Sequence, residues 1–142
     1  MSNCTRKELR GREYFCTVEL TLNVIGGKWK PIILYRLSDG EKKRFGELKQ
    51  LMPNITQKML TQQLRELEQD GLVARQVYAE VPPRVEYSLT ELGRSILPVM
   101  HSLCAWGQKY EEFFAKDGAL YQPMAEPASP RSAAEPGLPP PP

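Results

Sequence analysis

One histidine and three cysteines in 142 residues leave little material for catalysis or metal binding. Cys4, Cys16 and Cys104 are odd in number and widely spaced, which fits neither a disulfide framework nor a zinc pattern. His101 stands among apolar residues, a setting for a core or interface side chain rather than a catalytic one. The chain also lacks a glycine-rich phosphate loop, a nucleophile elbow and a paired carboxylate set, so neither an enzyme nor a bound cofactor or metal is expected. No apolar run approaches the roughly 18 residues of a membrane-spanning helix. The first residues do not follow the basic-then-apolar order of a secretory signal, so the expected location is the reducing cytoplasm. Charge of one sign is scarce too. A net charge of +2 says little about partners, and any nucleic-acid surface has to come from local clustering.

The residues present are those of an ordinary soluble domain, 41% hydrophobic and 25% charged. Composition changes near the end, where residues 123–142 hold eight of the thirteen prolines. Such a stretch buries too little apolar surface to offset its ordering entropy. The expected organisation is a flexible N-terminus over 1–7, one domain over 8–117, and a disordered proline-rich tail over 118–142. A polyproline ligand is the alternative reading of that tail.

Along the domain, Val18, Leu22 and Ile25 recur at helical spacing, which predicts a helix over Thr17–Ile25 closed by Gly26-Gly27. A second apolar helix spans Lys28–Ser38, with Pro31 in its first turn. Lys42–Phe45 reads as extended and Gly46–Met52 as a short helix. Thr56 is a good N-cap for a helix over Gln57–Asp70 that buries Leu60, Leu64 and Leu67 and stops at Gly71. The period then drops to two. Val73–Tyr78 and Val85–Leu89 flank a turn containing Pro82-Pro83, which predicts a two-stranded hairpin. Thr90 caps a final helix over Glu91–Phe114, with a kink expected at Pro98. It carries a stripe of Leu92, Ile96, Val99, Leu103, Trp106, Tyr110 and Phe113, and its 24 residues would be about 36 Å long at 1.5 Å per residue. That is more than a small core can cover, and a second copy of the chain is the simplest partner.

The predicted class is therefore α+β, mainly α: a winged helix-turn-helix with a two-stranded wing and a long C-terminal dimerisation helix. In such an arrangement the second helix enters the major groove and the wing reaches the backbone or minor groove of double-stranded DNA. Thr56, Gln57, Lys58, Thr61, Gln62 and Arg65 crowd the start of the candidate recognition helix, off its leucine face. Gln and Thr hydrogen-bond base edges, while Lys and Arg reach guanine or phosphate. A plain solvated face is the competing reading. Lys42, Lys43 and Arg44 are either a phosphate clamp or a solvated turn. Arg84 either enters a narrow minor groove or pairs with Glu80 or Glu86.

Residues 16–114, about 70% of the chain, resemble the HxlR family of bacterial regulators, relatives of MarR-type winged-helix proteins. The resemblance is carried by Cys16-Thr17-Val18-Glu19, Ile25–Pro31, Arg44–Leu48, Leu60–Leu67, Val81–Thr90 and Gly93–Pro98. It implies a homodimeric repressor or activator, with repression the expected outcome, acting on an inverted-repeat operator and often responding to electrophiles, oxidants or small metabolites. Cys16 occupies the position of the family's sensing cysteine, although Thr17 follows it where relatives often carry proline. At a helix N-terminus its thiolate would be favoured, more so with Arg10, Arg12 or Lys28 nearby. A small buried hydrophobe is the other reading of Cys16. Two further readings of the whole chain remain: a regulator controlled by a small ligand at the dimer interface beside Met100, Trp106 and Tyr110, and a winged helix used only for protein contact.

Overall fold

The computed structural model describes residues 5–115, so Cys4 and the proline-rich tail lie outside the described residues. The chain opens with a small antiparallel pair, β1 (Lys7–Leu9) and β2 (Arg12–Tyr14), which sequence reasoning missed. Arg10 and Gly11 make its two-residue turn with φ of 52° and 78°, the left-handed pair that a tight hairpin demands. The pair starts at Lys7, one residue inside the segment expected to be flexible.

Helix α1 (Thr17–Ile25) begins at Cys16 and has the bounds expected of it. Glu19 accepts a hydrogen bond from the Phe15 amide at 3.0 Å and places negative charge at the positive end of the helix. Of its predicted apolar face only Ile25 is buried; Val18 and Leu22 remain exposed. Helix α2 (Trp29–Arg36) carries Pro31 in its first turn and buries Ile33 and Leu34 completely. After the short strand β3 (Lys43–Arg44) come helix α3 (Phe45–Leu51) and helix α4 (Gln57–Gln69). Thr56 caps α4, its hydroxyl accepting the Met59 amide at 3.0 Å. Leu60, Leu64 and Leu67 of α4 meet Ile33, Leu34 and Leu37 around α2, and Leu48 of α3, in one core.

The hairpin is formed by β4 (Val73–Tyr78) and β5 (Arg84–Leu89). This hairpin is the expected two-stranded wing, and β3 extends its sheet along the other side of β5, giving the order β3-β5-β4, with Lys43 opposite Tyr87 and Arg44 opposite Glu86. A two-residue strand has too little sequence to display a period, so only its long-range partner reveals it. The expected single C-terminal helix is also divided, into α5 (Glu91–Ser95) and α6 (Leu97–Ala115). Pro98 has no N–H to donate to the Arg94 carbonyl, and the disruption at the expected kink becomes a break at Ile96.

An ion pair ties α2 to α4. Lys30 is buried, and its Nζ donates to Glu66 Oε1 at 2.9 Å. That hydrogen bond is the main reason the Glu66 carboxyl titrates below the usual carboxylate range. A lowered folded pKa contributes stability that is present above the unfolded value, near pH 4, and is lost as pH falls through the folded value. Glu66 is more than a third exposed, so water screens the pair and the effect is about 1 kcal/mol. Urea titrations of the wild type and Glu66→Gln should therefore differ at pH 7 and converge near pH 3. A gap that is constant across this range would contradict the assignment.

Candidate nucleic-acid interface

The leucines of α4 take up one side of the helix, and the 3.6-residue period leaves a polar row on the other. Thr56, Gln57, Lys58, Thr61, Gln62 and Arg65 are all exposed. Five of these six, Gln57 to Arg65, line an open shallow groove together with Glu66. Thr61 donates its hydroxyl proton to the Gln57 carbonyl at 2.9 Å, and the Thr56 hydroxyl accepts as the helix cap. Their roles at a surface are thus narrower than that of the Gln57 amide, while the Gln62 amide also hydrogen-bonds Glu66. Glu66 is held by Lys30 at one edge, so the cationic character of the groove comes from Lys58 and Arg65.

The basic run before α3 divides. Lys43 is 3% exposed and pairs with Asp39, itself nearly buried. Its assignment to a phosphate clamp is corrected: successive side chains of a strand point to opposite sides, and Lys43 faces inward while Arg44 faces out. Arg44 precedes α3, where its backbone amide donates to Glu47 Oε1 at 3.0 Å. Lys42 is exposed and donates to Gln76 of the wing at 3.1 Å.

Arg84 closes the hairpin ladder opposite Tyr78. Its guanidinium lies 4.1 Å from the centre of the Tyr78 ring, and Nη2 is 3.3 Å from Glu80 Oε1. Of the alternatives open from the sequence, this is the pairing with Glu80. A cleft separates the wing tip, residues 80–85, from Arg44, Phe45 and Gly46 at the start of α3.

Cys16 is half-buried at the N-cap of α1. The three cations expected beside it have other partners. Arg10 donates to the Gln69 carbonyl at 2.8 Å, Arg12 to Asp70 Oδ2 at 2.9 Å, and Lys28 sits 4.6 Å over the Trp29 ring. Arg10 and Arg12 instead grip the last turn of α4 from the N-terminal hairpin. Nothing local in the sequence announces those contacts, which span 59 and 58 residues.

The stripe on the C-terminal helices is largely open. Leu92, Val99, Leu103, Trp106, Tyr110 and Phe113 are exposed, Trp106 and Phe113 at 65% and 67%, while Ile96 is partly packed on the core. Tyr110 lies 5.4 Å from Trp106 and 4.9 Å from Phe114, ring centre to ring centre, in an aromatic row. Met100 is a core residue at 3% exposure and so does not line a ligand site with Trp106 and Tyr110, which corrects that part of the interface-ligand reading.

With this geometry in place, comparison with known proteins is direct. Residues 24–114 match the model of the HxlR-like helix-turn-helix family. The HTH-type transcriptional regulator YdeP of Bacillus subtilis is 61% identical over 97 residues, covering 68% of this chain and 75% of that protein. The structure of the redox regulator HypR in its oxidised form superposes with a TM-score of 0.63 at 58% identity, covering 66% of this chain and 96% of that one. The quinone-bound form of YodB from B. subtilis does so with a TM-score of 0.56 at 36% identity, covering 66% and 97%. The exposed row on α4, the wing beside it and these matches converge: the chain belongs to the HxlR-like helix-turn-helix family and is a transcription regulator, not an enzyme.

Proposed function

We propose that the chain binds duplex DNA sequence-specifically as a homodimer on an inverted-repeat operator, with repression as the outcome. Helix α4 enters the major groove, and the wing lies along the adjacent backbone. The observation that carries this reading is the exposed row from Thr56 to Arg65 on a helix anchored by three buried leucines. A helix fixed to the core on one side can present amides and cations to base edges without itself needing to order. Arg44 and Lys42 then serve as phosphate contacts that set register. Arg84 contributes by stiffening the wing through Tyr78 and Glu80.

The two cations of α4 separate base reading from backbone attraction. If Arg65 reads a base, Arg65→Ala costs about 1–3 kcal/mol on the preferred site and narrows the gap to mismatched sites; if Lys58 touches phosphate, Lys58→Ala weakens all sequences alike and flattens the salt slope by about one. Fluorescence anisotropy across a salt series on selected and scrambled duplexes measures both. Affinity that is insensitive to salt and unchanged in both variants would point to a protein-contact module instead.

The signal proposed for this regulator is modification of Cys16. Its half-buried place at the start of α1 and two structural relatives, oxidised HypR and quinone-bound YodB, favour this over a non-covalent signal. A thiol there meets the positive end of the helix dipole, and as the thiolate it adds to the ring of a quinone or is oxidised. Quinone treatment is expected to lower the affinity of the wild type for DNA about tenfold or more and to leave Cys16→Ser within about twofold of untreated protein. Equal loss in both proteins would remove Cys16 from the switch.

A further inference from the structure

A cleft of about 330 Å³ lies between the N-terminal hairpin and the body of the domain. Its walls are Leu9 of β1, Leu20 and Val24 of α1, Leu72 just after α4, and Leu92 and Ile96 at α5. This volume is at the lower end of small-molecule sites, which run from about 300 to 1,000 Å³ and combine apolar walls with a few fixed polar groups. Two hydroxyls on the lining are already engaged locally, Thr21 with the Thr17 carbonyl and Ser95 with the Leu92 carbonyl. The charged groups of the lining are Arg10, Arg12 and Asp70.

Those three groups do not balance. Arg12 is neutralised by Asp70 at 2.9 Å, while Arg10 spends one N–H on the Gln69 carbonyl at 2.8 Å and keeps its charge. One surplus guanidinium therefore faces an apolar cleft large enough for a bicyclic ring. A guanidinium binds a carboxylate through parallel N–H donors, with geometric selectivity as well as attraction.

We infer that this cleft is a binding site for a small apolar molecule carrying a single carboxylate, its ring system against Leu20, Val24 and Leu72 and its anion on Arg10. The site does not include Cys16, and it borders the C-terminal stripe, sharing Leu92 and Ile96 with its first turns. It also bears on the reading above. The hairpin that roofs it holds the last turn of the proposed recognition helix through Arg10 and Arg12. An anion that draws either arginine toward itself loosens that grip, and so couples occupancy to the pose of α4.

Binding can be measured on the full-length protein without DNA, so a failure here leaves the DNA reading untouched. The probe is 2-naphthoate, with neutral 2-naphthamide as its control, followed by methyl resonances in two-dimensional NMR. The expected result is a saturable shift of the Leu20, Val24, Leu72 and Ile96 methyls, with Leu103 unmoved. The amide should bind about tenfold more weakly than the acid, and Arg10→Gln should abolish that difference. Leu20→Trp, which fills the cleft, should remove binding. Ser95→Trp fills it from the opposite wall, where the side chain is exposed, and serves if the first variant does not fold. Either of two results would overturn the inference: shifts confined to Val99 and Leu103, which would mean that the probe sits on the helix stripe, or equal affinity for acid and amide that survives both filling variants.

Discussion

Aspartate at both Leu103 and Trp106 is expected to give a folded monomer that has lost at least a hundredfold of its affinity for its preferred DNA site. Both side chains are exposed in the isolated chain, with Trp106 at 65%, and neither belongs to the core around α4. Surface substitutions of this kind usually change the stability of the fold by no more than about 0.5 kcal/mol. Between two chains the consequence is different. An apolar seam would have to take up four unpaired carboxylates, each costing several kcal/mol unless it finds a partner. The proposed dimer should then dissociate, leaving a single α4 to hold the DNA alone. Linking two reading heads raises affinity by roughly 10²–10⁴ without any new contact, and that factor is what the variant forfeits. Sedimentation equilibrium reports the mass and anisotropy the affinity. A variant that stays dimeric would move the interface off α6.

The second large effect is expected at Gly93. A Cβ built there would lie 2.0 Å from the Leu72 carbonyl oxygen and 3.0 Å from its carbon. The same oxygen accepts the Thr90 amide at 3.1 Å, and the Thr90 hydroxyl accepts the Gly93 amide at 3.0 Å. Helix α5 therefore lands backbone to backbone on the segment entering β4, with no flexible side chain free to give way. In an open helix, exchanging glycine for alanine gains about 1 kcal/mol. Here overpacking of about 1–3 kcal/mol or more opposes it, and Gly93→Ala is expected to be the less stable protein. For a domain of this size the melting temperature should fall by roughly 5–15 °C. Gly46→Ala, in the first turn of α3 with nothing within 4 Å of the added carbon, is the control and should melt at or a few degrees above the wild type. Equal melting of Gly93→Ala and the wild type would mean that α5 does not seat so closely.

What could be read from the sequence follows from how local each signal is. Helix α1 has its expected bounds because Gly26-Gly27 stops it by chain geometry alone. Added bulk at Gly26 would meet the Leu22 carbonyl at 2.1 Å, and Gly27 holds φ at 88°. Helix α4 was legible for the same reason, with a Thr56 cap at one end and Gly71 at φ 81° just past the other. The polar row from Thr56 to Arg65 could be read because a helical period separates it from Leu60, Leu64 and Leu67. The rest depends on partners far along the chain. Lys43 looked like part of a basic cluster, yet the ladder to Tyr87 turns it inward to Asp39. Strands β1 and β2 are three residues each and mostly charged, too short to show a period, so only the Arg10-Gly11 turn hints at them. Arg10 and Arg12 are close to Cys16 in sequence, yet they grip the last turn of α4, contacts that proximity along the chain does not reveal.

In the proposed dimer, two copies of α4 held by paired C-terminal helices should demand two half-sites in fixed relation. Selection of bound duplexes from a random-sequence pool with the full-length protein is the most direct test. The account predicts enrichment of an inverted repeat whose half-sites are separated by about one helical turn, roughly 10–10.5 base pairs, or a multiple of it. Recovery of a single unpaired half-site, of repeats with no preferred spacing, or of no sequence at all would contradict it.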